Sequence, residues 1–320
     1  MTTHFNYSII IPHKNIPKLL ERCLWSIPRR DDLQIIVVDD NSDPALVDFT
    51  NFPGLNDPFV EVIFTKEGKG AGYARNVGVS KAKGRMLLFA DADDFFNYCI
   101  YDVLEEYKDN DIDLIYFKCN SLHSEKFTAA NGERDVNFIN DRIDRFKHHD
   151  DRNSFYIVHS VWCKLFKRDF VVHHNIRFSE TPIANDILFS VYCAFYAQTV
   201  QVDDRALYCY TFRSGSIRTP ESRSHSADER LTDLYENWKK MWFLSQHDIY
   251  DRPSESWASL CLLNEYFQDK RNFKKLEQKI LALGFTKAYI KERLFKIFVQ
   301  HRIVQPMQRI YYRIKNLVLN

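Results

Sequence analysis

The feature that most constrains this chain is an alternation of strand-like and helix-like segments through its first 120 residues. Short apolar runs predict strands at residues 7–12, 34–38, 59–65, 85–90 and 112–117. Helical spacing predicts intervening helices at residues 16–27, 71–82 and 98–107, with Asn15 as the first N-cap. This alternation predicts an α/β fold with a doubly wound, mainly parallel sheet.

The rest of the chain has a different pattern. Residues 121–154 are polar, residues 187–196 predict a helix, and residues 199–212 predict one or two strands. After Ala227 the sequence is helical almost throughout. We therefore predict a sheet domain over residues 1–225, with halves at about 1–120 and 121–225, and a helical C-terminal extension over residues 226–320.

Charge and cysteine content argue against several classes of protein. The formal net charge is +1, so no general electrostatic attraction to nucleic acid is expected. The seven cysteines form no CxxC pair, which argues against a disulfide framework or a zinc site and favours a reducing compartment. The N-terminus does not resemble a signal peptide and no apolar run is long enough to span a bilayer. We expect a cytoplasmic protein.

Acidic residues follow two of the predicted strands. Asp91 and Asp93 leave the fourth strand, and two carboxylates at this spacing can share one Mn²⁺ or Mg²⁺ ion. Asp39 and Asp40 leave the second strand and can accept hydrogen bonds from a nucleotide base or a ribose hydroxyl. The alternatives are a solvated turn and a helix cap, respectively. Because ligands bind beyond the carboxyl ends of such strands, the two clusters could share one crevice.

Two further segments have candidate roles. A glycine-rich run from Gly68 to Gly72 opens the helix that carries Arg75, where backbone amides and a guanidinium can hold an anion. A flexible loop is the alternative. Asn185 and Asp186 open the helix at residue 187, where Asp186 would be either a general base or a cap.

Six segments together resemble one known family. They are residues 7–15 (YSIIIPHKN), 37–42 (VVDDNS), 74–78 (ARNVG), 89–94 (FADADD), 162–166 (WCKLF) and 210–216 (YTFRSGS). In this order they resemble the family 2 glycosyltransferases of the GT-A fold, over roughly residues 5–218. Two departures stand out: Asn185-Asp186 replaces the usual Glu-Asp, and His13-Lys14-Asn15 replaces the usual Val-Tyr-Asn.

The resemblance implies an inverting transfer from a nucleotide-diphosphate sugar, with UDP favoured, to a hydroxyl of a glycan or lipid-linked acceptor in bacterial surface polysaccharide synthesis. Asp186 would be the catalytic base, and Asp91 and Asp93 would hold Mn²⁺ or Mg²⁺. Nucleotide-sugar contacts are expected from Pro12, Asp39, Asp40, Arg75, Asp91, Ala92, Arg213 and Ser216. Acceptor-side contacts are expected from Trp162, Lys164 and Asn185.

Two other functions compete with a glycosyltransferase. A nucleotidyltransferase would also combine carboxylates, metal and nucleotide, but residues 8–20 lack the glycine-rich signature it would need. A nucleotide-sugar binding protein without activity is the alternative from another class. The intact Asp93 and Asp186 argue against it.

The C-terminal tail has a basic, amphipathic pattern. Its cations are Lys287, Lys291, Arg293, Lys296, Arg302, Arg309, Arg313 and Lys315, with Glu292 as the single acid between residues 287 and 315. Such a helix can lie on an anionic membrane, which would place the enzyme at the inner face of the plasma membrane. The alternative is packing on the catalytic domain or on a second subunit of a homodimer.

Overall fold

The structure is a computed structural model that describes residues 5–128, 134–213, 226–249 and 252–300. The chain divides into two compact units, residues 1–224 and 225–320.

The first unit is built on an eight-stranded sheet. Its strands are β1 (Tyr7–His13), β2 (Leu33–Asp40), β3 (Val60–Thr65), β4 (Met86–Phe89), β5 (Phe95–Phe96), β6 (Leu114–His123), β7 (Lys164–Lys167) and β8 (Val200–Phe212). They lie in the order β3-β2-β1-β4-β7-β6-β8-β5. The half from β3 to β4 is parallel, as predicted. The other half is mixed, because β7 runs antiparallel to β4 and β6, and β5 runs antiparallel to β8.

Six helices and one 3₁₀ helix (Arg152–Ile157) accompany this sheet within the described residues. The helices are α1 (Pro17–Trp25), α2 (Ala71–Lys81), α3 (Ile100–Glu106), α4 (Arg134–His149), α5 (Arg168–His173) and α6 (Ile187–Tyr196). The prediction of Asn15 as an N-cap was wrong. Ile16 occupies the N-cap of α1, while Asn15 has a φ of +60° and its side chain accepts a hydrogen bond from the Asp43 amide.

The parallel strands bring their carboxyl ends to one edge of the sheet. β1, β2 and β4 are buried along their whole length, as strands covered on both faces should be. His13 of β1 lies in register with Asp39 of β2, which lies in register with Phe64 of β3. Asp39 and Asp40, which end β2, and the acidic residues after β4 therefore emerge along the edge where open α/β sheets bind ligands.

The second unit is helical. Its helices are α7 (Ala227–Ser245), α8 (Arg252–Gln268), α9 (Lys270–Ala282) and α10 (Lys287–Val299). Trp238, Leu276, Ile280 and Ile290 are among the residues of its buried core. Over the residues described, no helix is both long enough and apolar enough to cross a membrane. The tail residues Arg302, Arg309, Arg313 and Lys315 lie outside the described residues.

Candidate active site

The carboxylates after β4 each pair with an arginine. Arg75 Nη2 lies 2.5 Å from Asp91 Oδ1, and Arg213 Nε lies 2.8 Å from Asp93 Oδ2. Burial raises the pKa of Asp93 above its usual value, and the negative charge of Asp91 raises it further. The two carboxylates are therefore close enough to repel each other despite their arginine partners.

The donor set at this pair fits a hard divalent cation. Each arginine engages one oxygen of its carboxylate and leaves the second oxygen outside that ion pair. Across the part of the chain that is described, no group of three His, Cys, Asp or Glu side chains could hold a metal ion. Mg²⁺ is commonly held by one or two carboxylates together with substrate phosphates and water, so Asp91 and Asp93 would need a bound diphosphate to complete the coordination.

A buried carboxylate that the sequence did not single out shapes this loop. Asp94 accepts hydrogen bonds from the Tyr208 hydroxyl at 2.9 Å and from the Thr211 amide at 2.7 Å. Tyr208 also accepts a hydrogen bond from the Asp91 amide, and Trp162 stacks on its ring. The loop that carries Asp91 and Asp93 is thereby fastened to β8. Trp162 is buried behind this loop and acts on it through Tyr208.

Arg75 joins the two halves of the site. Its guanidinium is buried and lies over the Phe178 ring at 5.4 Å. One terminal nitrogen binds Asp91, and the other donates to Asn185 Oδ1 at 2.7 Å. Arg75 therefore links the carboxylate after β4 to the segment that opens α6. A neutral Asn185 leaves Asp91 as the only carboxylate paired with Arg75 among the described residues.

Asp186 lies next to this link. It occupies the N-cap position of α6, yet its side chain makes no capping hydrogen bond. Burial raises the pKa of Asp186, and the nearby Arg75 charge opposes that rise. A carboxylate with a raised pKa that is not used for capping suits a general base.

Gly72 allows the close contact between α2 and the loop before α6. A Cβ atom at Gly72 would lie 2.1 Å from the Ser179 carbonyl oxygen and 2.8 Å from Asn185 Cβ. The glycine-rich run was expected to bring its backbone close to a bound anion. At Gly72 the backbone instead packs closely against the loop before α6. Gly70, at a φ of +94°, donates its amide to Asp40 Oδ2 at 2.8 Å.

We expect Gly72→Ala to destabilise the protein by about 1–3 kcal/mol, because the added methyl group overpacks a rigid backbone contact. Sugar transfer should fall more than nucleotide binding, since the displaced loop carries Asp186. Thermal unfolding and transfer assays measure both effects. Ser80→Ala, at an exposed position of the same helix, is the control. A variant with normal stability and activity would show that the contact is not needed.

Asp39 is saturated by protein donors. The Ser42 amide and hydroxyl donate to it at 3.0 and 2.5 Å, and His13 Nδ1 lies 2.8 Å from Oδ2. The Ile16 amide donates to His13 Nε2 at 3.1 Å, so the ring proton must be on Nδ1 and is donated to Asp39. Burial raises the pKa of Asp39, but these hydrogen bonds outweigh it and hold the pKa below its usual value.

Asp40, unlike Asp39, has a carboxylate oxygen without a hydrogen-bond donor among the described residues. Its Oδ2 accepts the Gly70 amide and lies 3.6 Å from Lys14 Nζ, whereas its Oδ1 is buried and lacks a hydrogen-bond partner within the described residues. A buried carboxylate oxygen without a donor is costly unless a ligand supplies one. Of the two adjacent aspartates, Asp40 is the one with an acceptor left for a ligand.

The remaining predicted site residues lie at varied depths. Pro12 is buried in β1, and Ala92 is buried between Asp91 and Asp93. Lys164 is fully buried in β7, where Nζ donates to the Val158 carbonyl at 2.9 Å. Burial lowers the pKa of Lys164 to about 8. Ser216 lies outside the described residues.

Comparison with known proteins agrees with this architecture. The uncharacterized glycosyltransferase EpsJ of Bacillus subtilis is 27% identical over 237 residues, spanning 72% of this chain and 67% of EpsJ. A structure of S. aureus TarS in complex with UDP-GlcNAc is 20% identical, with a TM-score of 0.54 over 92% of this chain and 81% of that one. The mannosyltransferase PcManGT from Pyrobaculum calidifontis, in complex with GDP-Man and Mn²⁺, is 15% identical, with a TM-score of 0.53 over 94% and 88%.

These structural likenesses confirm the predicted α/β fold of the GT-A type. The family model described as "Glycosyl transferase family 2" matches residues 8–172, just over half of the 320 residues. The chain belongs to family 2 of the glycosyltransferases.

Proposed function

We propose that this glycosyltransferase moves a sugar from a nucleotide-diphosphate donor, with UDP favoured, to a hydroxyl of a glycan or lipid-linked acceptor. The reaction would invert the anomeric centre, depend on a divalent metal and serve the synthesis of a bacterial surface polysaccharide. The observation that carries the proposal is the pair of acidic centres, Asp91 with Asp93 and Asp186, joined through Arg75 and Asn185. The carboxylate pair suits a diphosphate bound through a divalent metal, and Asp186 suits an acceptor hydroxyl.

On the donor side, the chain supplies positive charge and a carboxylate pair. Asp91 and Asp93 would hold Mn²⁺ or Mg²⁺, which would neutralise the charge that builds on the departing diphosphate. The comparison with PcManGT, solved with GDP-Man and Mn²⁺, supports the use of a divalent metal. Arg75 fixes the orientation of Asp91, and Arg213 provides a second cation beside Asp93. Arg213 can turn from Asp93 toward the diphosphate, because that carboxylate would then face the metal.

On the acceptor side, Asp186 removes the proton from the attacking hydroxyl. The hydroxyl oxygen forms a bond to the anomeric carbon as the bond from that carbon to the diphosphate oxygen breaks. The electron pair leaves with the diphosphate, and the product has the inverted configuration. The raised pKa of Asp186, caused first by burial, makes it a stronger base than an exposed aspartate.

The nucleotide would be bound by Asp40, with Asp39 in a supporting role. The unpartnered Oδ1 of Asp40 can accept a hydrogen bond from a base N–H or a ribose hydroxyl. Asp39, held by His13 and Ser42, keeps the end of β2 in place. His13 is thereby a positioning residue of the nucleotide site. This role depends on the histidine that this chain has where the family usually has valine.

We expect Asp40→Asn to weaken nucleotide binding by about tenfold or more, because the amide would present N–H groups where a charged acceptor is needed. Isothermal titration with UDP and Mn²⁺ measures this effect. Asp39→Asn is the matched variant. It should mainly lower stability at neutral pH, and less so in acid, because an aspartate with a depressed pKa stabilises the fold only while ionised. Equal losses of affinity in both variants would contradict the division of roles.

A donor screen tests the proposed activity. The purified protein with Mn²⁺ is incubated with each of a panel of UDP-, GDP- and dTDP-sugars, and the released nucleoside diphosphate is measured. We expect release from one UDP-sugar above the others, with loss in EDTA. Tight binding of a nucleotide sugar without release, with and without glycan acceptors, would instead favour a binding protein without activity.

A further inference from the structure

Four exposed aromatic side chains lie in the last two turns of α8 and α10. Tyr266 and Phe267 end α8, and Phe295 and Phe298 lie on α10, with 37–67% of each residue exposed. The rings of Phe267 and Phe298 are 6.3 Å apart, and those of Tyr266 and Phe267 are 5.3 Å apart. These four residues form the aromatic patch. A soluble domain seldom exposes such a cluster unless the cluster binds something.

Positive charge surrounds the aromatic patch. Residues 270–300 contain two acids, Glu277 and Glu292, and nine cations, namely Lys270, Arg271, Lys274, Lys275, Lys279, Lys287, Lys291, Arg293 and Lys296. Lys270, Arg271 and Lys274 are exposed on the first turns of α9, directly after the two aromatic residues that end α8. The sequence after Glu292 contains no further acid. One further acid, Asp269, is exposed at the N-cap of α9, between Phe267 and Lys270. The patch therefore combines apolar rings with a net excess of positive charge.

This combination fits an anionic bilayer better than a protein partner. Lysine and tyrosine side chains can lie at a membrane interface because each has an apolar body and a polar tip, and phenylalanine is common on the apolar face of interfacial helices. Lysine is depleted from protein–protein interfaces, where its charge must be desolvated. Lipid headgroups of opposite charge would satisfy the lysines while the rings enter the headgroup region.

We propose that the aromatic patch, with the basic first turns of α9, docks the protein on an anionic membrane surface. The residues of the docking surface all lie within the described part of the chain, before residue 301. Membrane docking deepens the proposed function, because a docked enzyme could reach a lipid-linked glycan. The docking proposal rests on the proposed function only for the identity of this acceptor.

Vesicle flotation with the full-length chain tests the proposal. The vesicles contain phosphatidylcholine alone or with one third phosphatidylglycerol. We expect binding to the anionic vesicles only, weakened by salt because exposed charges are screened. The variant Phe267→Ser/Phe295→Ser/Phe298→Ser should bind at least about tenfold more weakly, because the apolar contact is lost. Lys270→Glu/Lys274→Glu should also lose at least about tenfold, since each cation contributes about fivefold.

Controls separate the patch from other surfaces. Trp25→Ser/Tyr98→Ser removes two aromatic side chains that are exposed elsewhere, and it should bind as the wild type does. A chain ending at Gln300 should still bind the anionic vesicles. Donor hydrolysis, measured in parallel, should be unchanged in every variant, so a failure of docking is distinguished from a failure of the proposed activity.

Three outcomes would overturn the proposal. The full-length protein could ignore anionic vesicles at low salt. The aromatic triple variant could bind as the wild type does while the chain ending at Gln300 does not, which would assign docking to the tail alone. The triple variant could also convert a dimer to a monomer in size-exclusion chromatography without changing vesicle binding, which would assign the patch to a second copy of the chain.

Discussion

Asp93→Ala is expected to lower the rate of sugar transfer by about 10³-fold or more while the protein remains folded. Burial raises the pKa of Asp93, and the negative charge of the neighbouring Asp91 raises it further. A cation bound there would be attracted by both carboxylates. Without Asp93, charge on the departing diphosphate would lose part of that stabilisation, and Arg213 would lose its partner.

The measurement is a transfer assay at saturating donor, with circular dichroism and thermal unfolding to verify the fold. Asp109→Ala removes an exposed aspartate away from the site and should leave the rate unchanged. EDTA should inhibit the wild type to a similar extent as the Asp93 substitution. Near-normal turnover by a folded Asp93→Ala variant, or full wild-type activity in EDTA, would refute the metal assignment.

Asp186→Asn is expected to lower transfer by about 10²–10⁴-fold with little change in donor affinity. The substitution preserves the shape of the side chain and removes only its ability to take a proton. Because the carboxylate makes no capping bond to α6, the helix should not depend on it. Titration with donor and Mn²⁺, beside single-turnover transfer, separates binding from chemistry. A collapse of donor affinity with normal turnover at saturation would show that Asp186 binds donor instead.

The raised pKa of Asp186 also predicts pH effects of definite sign. A general base works when ionised, so transfer by the wild type should fall as the pH decreases through a pKa above the usual aspartate range. For stability, burial favours the protonated form, and the contribution of this form is lost as the pH rises through the folded-state pKa. Asp186→Asn should therefore unfold at the same or a higher temperature than the wild type at neutral pH. A lower unfolding temperature would indicate a stabilising role for the ionised carboxylate.

The sequence was most informative where one apolar run forms one buried strand. Residues 7–12, 34–38 and 85–90 predicted β1, β2 and β4, and the acids that end β2 and follow β4 emerge at one edge of the sheet. The four-residue β7 and the two-residue β5 were missed, because runs this short have no period to detect. β7 and β5 make the second half of the sheet mixed rather than parallel.

The interior of the site depends on contacts that no local pattern encodes. The Thr211 amide meets Asp94 across 117 residues, and Arg75 meets Asn185 across 110. The division between Asp39 and Asp40 likewise depends on His13, which lies on another strand. The only sequence signal for this contact was the replacement of the family's usual Val-Tyr-Asn by His13-Lys14-Asn15. It marked residue 13 as unusual but did not indicate that its partner is Asp39. Local sequence identifies candidate side chains, and the tertiary fold decides which of them keep an atom free for a ligand.

We propose that donor binding and proton removal are divided between two acidic centres, with Asp91 and Asp93 binding the donor and Asp186 removing the proton. The most direct test compares wild type, Asp93→Ala and Asp186→Asn, using the preferred donor from the screen, in two assays: calorimetric binding of donor with Mn²⁺, and transfer to acceptor. We predict that Asp93→Ala loses both binding and transfer, whereas Asp186→Asn retains binding and loses only transfer. Parallel losses of binding in the two variants, or transfer by Asp186→Asn at the wild-type rate, would contradict this division of roles.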